Sequence, residues 1–309
     1  MTGEPRTRPA HRTVLHVALV LLAVAAAVLA GLWLQYGERQ DLDTRYTAGG
    51  AAADRIDIDA TVQRVDATGR ELVLRVLVTP RGALAEAGGL SPAEDLTLQT
   101  SPSVRGDLSF RAHSRIASVD VPVALSGGSI TDYPFDSYET DLEFAAVQGG
   151  ESVPVRMTLT NRDALFSFGA DATESRGAAV FSAEVARSGG ALVFAVFMMA
   201  AMWALAVAVL LGGWFLVRRR RGLTWPALGW MAATLFALAA FRNTAPGAPP
   251  IGSLLDYLAF FWAETLIAFC LTVVVVSAVR AEGPPVPETA VPEPPATGPP
   301  APGASVSVP

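Results

Sequence analysis

The sequence predicts a membrane protein of α+β class: an N-terminal transmembrane helix, an extracytoplasmic antiparallel β-sandwich and a C-terminal three-helix transmembrane module. Three observations carry this. Hydrophobic residues make up 51% of the 309 residues, too many for an ordinary soluble protein of this size. They gather in four runs, near 14–34, 191–217, 223–241 and 254–279, each about long enough as a helix to cross a ~30 Å hydrocarbon layer. Between the first run and the second the pattern changes to period two, as in half-buried strands.

Residues 1–13 carry Arg6, Arg8 and Arg12 and read as a cytoplasmic tail ahead of a first span at 14–36. Val28-Leu29-Ala30 is a tolerable cleavage site, so a signal peptide is the competing reading. Residues 31–34 prolong the apolar stretch, and Trp33 and Tyr36 suit an interfacial aromatic belt, which favours an uncleaved anchor. The outer domain occupies 37–190. A second span at 191–217, an arginine loop at 218–222, a third span at 223–241, a proline-rich outer loop at 242–253 and a fourth span at 254–280 follow. Residues 281–309 form a proline-rich cytoplasmic tail. Arg218, Arg219, Arg220, Arg221 and Arg280 lie on the side of the N-terminal arginines. The positive-inside rule then gives a multi-pass plasma-membrane protein with both termini cytoplasmic.

Within the outer domain RIDIDATVQRV and RELVLRVLV alternate apolar and polar residues, with DATG as the turn between them. DLTLQT, DLSFRA, IASVDVPVAL, YETDLEFAAV, SVPVRMTLT, ALFSFG and AAVFSAEV continue the pattern. That makes about nine short strands, the number expected of an antiparallel sandwich. Residues 79–95 read as an ordered loop or a short helix, and 37–53 as a tether containing GGAAA. Ten prolines in the last 28 residues predict polyproline character and disorder.

All 23 basic residues are arginine. Residues 37–190 hold 23 acidic and 14 basic residues, a balance of −9, which argues against nucleic-acid binding by this part, since that needs a basic face. Cys270 has no partner cysteine, so neither a disulfide framework nor a thiolate metal site exists. The outer domain has one histidine, His113, and no G-x-S-x-G elbow, metal-binding histidine spacing or phosphate-cradling glycine loop. Asp54, Asp57 and Asp59 have two readings, a calcium site or a solvated strand face. No cofactor is expected.

Two acidic residues fall in the fourth span. Asp256 opens it, and Glu264 lies about 12 Å deeper along the axis on the same helix face as Asp256 and Phe260. A carboxyl there is costly unless protonated, paired or wet. A functional ionisable group and a neutral group bonded to another helix both remain open for Glu264.

Two resemblances extend this reading. TDYPFDSYETDLEF and RNTAPGAPPIGSLLDYLAFFWAE resemble an uncharacterised family of bacterial integral membrane proteins, domain of unknown function 4436, with the same order of parts and no assigned activity. Tyr133-Pro134-Phe135-Asp136 is similar to the corner at the sandwich base of a pentameric ligand-gated ion channel protomer, which touches the loop between the second and third channel helices. Arg187 resembles the arginine before the first channel helix, and Asp256-Tyr257 the start of the third. That resemblance implies that Asp136 and Arg187 meet at a domain–membrane junction with Arg242 nearby. The sequence departs from the channels in its extra N-terminal span, in lacking a fourth channel helix, and in a third span, LTWPALGWMAATLFALAAF, with only Thr224 and Thr234 as polar side chains. The alternative is that Tyr133 and Phe135 merely plug the sandwich end.

The expectation is a non-enzymatic envelope sensor or interaction module whose partner is the lipid bilayer, with a homo-oligomer left open. A channel-like oligomer is the first alternative and an extracytoplasmic hydrolase the second.

Overall fold

A computed structural model describes residues 10–42, 44–104, 106–175, 177–218 and 225–281. Residues 1–9, most of the arginine loop and the proline-rich tail from 282 lie outside the described residues. Helix α1 (Ala10–Leu42) leads into eleven strands. The first sheet has the order β1-β9-β2-β3-β6, comprising Arg45–Gly49, Val155–Asn161, Arg55–Asp66, Glu71–Arg81 and Val119–Ala124. The second runs β10-β11-β7-β4-β5, comprising Phe166–Ser175, Ala178–Arg187, Ser137–Gln148, Leu96–Thr100 and Leu108–Phe110, and short β8 (Glu151–Val153) pairs with β7.

Alternation puts one face of each strand inside. Ile56, Ile58, Ala60 and Val62 of β2 are buried, as are Tyr138, Thr140, Leu142 and Phe144 of β7. Leu72, Leu74, Leu96, Leu98, Met157 and Phe181 join them in one core shared by both sheets. A bulge falls between Val62 and Arg64, just before the β2–β3 turn.

The arrangement differs from the expected one in three ways. Residues 45–49, read as tether, form edge strand β1, antiparallel to β9. The sheet is not wholly antiparallel, because β2 and β9 run parallel. The chain changes sheets at Pro154, between β8 and β9, and this brings β9 back alongside β2; the Pro154 carbonyl accepts from Ile56 N at 2.8 Å. Residues 79–81 extend β3, and a single 3-10 turn, Gly82–Leu84, follows.

After β11 come α2 (Gly189–Arg218), α3 (Trp225–Arg242), a π-helical turn (Asp256–Phe260) and α4 (Phe261–Ala281). Ser188 caps α2, its hydroxyl accepting from Ala191 N. Buried residues on α2 recur every three or four positions: Ala191, Ala195, Met198, Met202, Ala206, Val209 and Gly213. They pack on Ala259, Ala263, Ile267, Cys270 and Val274. A Cβ at Gly213 would fall 2.2 Å from Cys270 Sγ, so glycine permits this close approach. Gly189–Arg218 and Asp256–Arg280 are each long and apolar enough to cross a membrane.

Candidate functional site

The corner Tyr133-Pro134-Phe135-Asp136 follows a 3-10 turn, Ile130–Asp132, capped by Ser129. A backbone bond from Phe135 N to Asp132 O, 2.9 Å, closes it. Tyr133 is fully buried, and it belongs to the core of the helical module rather than to that of the sandwich. Its carbonyl accepts from Leu255 N at 3.2 Å, one residue before the π-turn. Phe135 is 57% exposed. The reading of both aromatics as plugs of the sandwich end is therefore corrected: one ring is inserted into the helices and the other faces outward.

Asp136 stands three residues beyond the inserted tyrosine and meets Arg187, the last residue of β11. Arg187 Nε donates to both Asp136 oxygens at 3.0 and 3.1 Å, and Nη2 to Oδ2 at 3.0 Å. The two side chains are 2% and 0% exposed. Tyr138 donates its hydroxyl to Asp136 at 3.0 Å. Burial, reinforced by the negative charge of Asp136, pushes the Tyr138 phenol well above its ordinary range, so it stays a donor. The Arg187 guanidinium lies over the rings of Phe166, at 4.2 Å, and Tyr133, at 5.0 Å. Burial also raises the Tyr133 phenol, against the pull of Arg187.

Arg242 does not join this pair, although the channel-like arrangement put it nearby. It ends α3 and forms its own buried pair with Asp256, through Nε at 2.8 Å and Nη2 at 2.7 Å. Its remaining donors reach the Pro249 and Pro250 carbonyls, which folds the proline-rich loop around one guanidinium. Asp256 Oδ2 also accepts from Gly252 N at 2.7 Å and from Ser253 N and Oγ. Asp256 is therefore a structural anchor at the end of a helix.

The loop still reaches the first pair. A Cβ at Gly247, where φ is +76°, would sit 2.4 Å from Arg187 Nη1. Sandwich and helices thus meet through the inserted Tyr133, the Tyr133–Leu255 backbone bond and Arg187 against Gly247.

Glu264 does not share the surroundings of Asp256. It is half-buried and has no hydrogen-bond partner among the described residues. The π-turn between them adds a residue to the helical register, so the equal spacing on one face is lost. The turn also leaves the Leu258 carbonyl accepting from Trp203 Nε1 of α2 at 3.0 Å. Sequence reasoning missed Trp203, Tyr138, Gly247 and Glu38. Glu38, near the end of α1, accepts from Gly190 N, where a carboxylate suits the start of α2. Only the helix-start position of Gly189-Gly190 signalled such a contact, and it named no partner.

Two of the three aspartates near β2 have local roles, and Asp59 is exposed. Asp54 accepts from Ala83 N at 2.7 Å, and Asp57 pairs with Arg55 and Arg81. Burial works to raise the Asp57 carboxyl, but the two guanidiniums prevail and hold it below its ordinary range. Among the described residues no group of three or more His, Cys, Asp or Glu is placed to hold a metal ion. His113 is exposed and lies 3.4 Å from Glu86.

No curated protein matches the chain. Residues 46–186 match the family described as Domain of unknown function (DUF4436), and residues 187–281 match Domain of unknown function (DUF8686). The boundary falls on the ion pair, with Asp136 in the first region and Arg187 opening the second. Two adjoining regions of the chain are therefore each matched by an uncharacterised domain-of-unknown-function family.

Proposed function

We propose that this is a four-span envelope protein, non-enzymatic, in which an extracytoplasmic sandwich senses or binds a partner and passes that event to the helices through the Tyr133 corner. One observation carries the reading. The largest concentration of buried charge in the described residues, Asp136–Arg187 and Arg242–Asp256, sits where the two domains touch. Buried ion pairs are poor sources of net stability and better at fixing one arrangement. The membrane part is supported by exposure. Only 28% of the most apolar stretch of each long helix is buried, unlike a core helix of a soluble protein, and Phe197, Leu211, Trp214 and Phe269 are all at least 60% exposed.

A channel-like oligomer is the second reading, favoured by the contact of the corner with the outer loop and with the start of the last helix. Cysteines placed singly at Ser126 and Ser305, in a Cys270→Ser background, test the topology. An impermeant thiol reagent applied to intact cells labels Ser126→Cys and spares Ser305→Cys in the four-span reading, and the opposite pattern overturns it. The mass of the purified chain then separates the two readings, since a symmetric ring favours the channel and a monomer removes it.

A further inference from the structure

Beside the Asp136–Arg187 pair lies a cavity of about 200 Å³. Its wall includes the β2–β3 turn, Phe166, Gly247 of the outer loop and two arginines, Arg64 and Arg187. Arg187 spends Nε and Nη2 on Asp136, but its Nη1 has no hydrogen-bond partner. A desolvated cationic N–H without an acceptor is costly and rare. The rings of Tyr133 and Phe166 cover the faces of the guanidinium, whereas its N–H groups lie in its plane. Gly247 lies against Nη1, and its missing Cβ spares that nitrogen a collision.

The end of β2 and the turn after it supply the rest. The bulge between Val62 and Arg64 breaks the strand alternation, and bulges re-aim the side chains beside them. Arg64 is exposed and makes no ion pair among the described residues. Thr68 adds a hydroxyl. Asp66, the carboxylate on this wall, is engaged within its own turn, accepting from Gly69 N at 2.9 Å. Asp136 offsets the charge of Arg187 and Asp66 that of Arg64, so the cavity suits one negative charge at most and holds it by directed N–H donors rather than by net charge. Its size is below the usual ~300–1,000 Å³ of a drug-sized ligand site.

We infer that this cavity binds a singly charged phosphate group, with Arg64 and Arg187 Nη1 donating to its oxygens. Arginine matches such oxygens in a planar fork. The lipid source of that phosphate rests on the four-span reading, in which the outer loop and the β2–β3 turn stand at the level of the outer headgroups. A phosphodiester lipid and free phosphate share this chemistry, and the test separates them.

The full chain is purified in a phosphate-free maltoside detergent, and its unfolding temperature is followed with phosphatidylglycerol, diacylglycerol or inorganic phosphate added. Phosphatidylglycerol raises the midpoint and diacylglycerol does not. Arg64→Gln weakens the apparent affinity about tenfold, as expected for one lost charge-assisted contact. Thr68→Val gives a smaller loss in the same direction. An equal effect of inorganic phosphate identifies free phosphate as the source and keeps the site. Equal shifts with diacylglycerol, or unchanged affinity in both variants, overturn it. Membrane fractionation of the wild-type chain tests the four-span reading separately: a chain that binds phosphate but leaves the membrane pellet keeps the site and loses the topology.

Discussion

At the residue scale, Asp136 and Arg187 are each held by the other inside protein, and their worth lies in what their separation costs. Removing one partner strands an uncompensated buried charge, at about 3–5 kcal/mol. Asp136→Ala and Arg187→Ala should each destabilise the folded chain by that order, and the double variant should lose clearly less than the sum in a double-mutant cycle by denaturant unfolding. Strict additivity would remove the coupling. Tyr133 gives a sharper contrast. Its hydroxyl is buried without a partner, while its ring fills the helical core. Tyr133→Phe should be neutral or stabilising, because it removes an unpaired polar group. Tyr133→Ala should cost about 3–5 kcal/mol, as large-to-small aromatic changes do in cores. Equal losses in the two variants would mean that the hydroxyl has a partner.

At the element scale, packing and local charge make separate predictions. The Cβ of Gly213→Ala would collide with Cys270 Sγ, forcing α2 from α4 at about 1–3 kcal/mol. Cys270→Ala should restore most of the loss in a melting experiment, and no rescue would place the strain elsewhere. On the sandwich, Arg55 and Arg81 face each other across β2 and β3, a like-charge opposition that Asp57 bridges. The folded-state pKa of Asp57 is depressed. Its contribution is therefore complete above the unfolded value of about 3.9 and is lost as pH falls through the lower folded value. Asp57→Asn should flatten the acid limb of the stability–pH curve and leave its neutral shape alone.

The same elements mark what was legible in the sequence. Alternation exposed β2, β3 and β7 because one face of each is buried and the other is wet. Strand β1, RYTAG, is five residues beside a glycine pair, too short to carry a period. The parallel β2–β9 pairing follows from a sheet change at Pro154, which local pattern does not encode. The corner was visible because its four residues are contiguous. Arg242 and Asp256 were both singled out, but their pairing depends on how the proline loop closes. Glu38 meets Gly190 across 152 positions, beyond the reach of any spacing rule.

At the scale of the whole molecule, the described residues join sandwich and helices through contacts of high stake: an inserted ring, a backbone bond, and an ion pair pressed against a glycine of the proline-rich loop. Separation of the domains would expose Tyr133 and the charged pair together, so the junction should open as a unit rather than fray. The most direct measurement is scanning calorimetry of the full chain in detergent, for wild type and for Asp136→Ala. The wild type should unfold in one transition that includes both sandwich and helices, and Asp136→Ala should split it, with the sandwich melting first. Two independent transitions in the wild type, at temperatures that Asp136→Ala leaves unchanged, would contradict coupling through the corner.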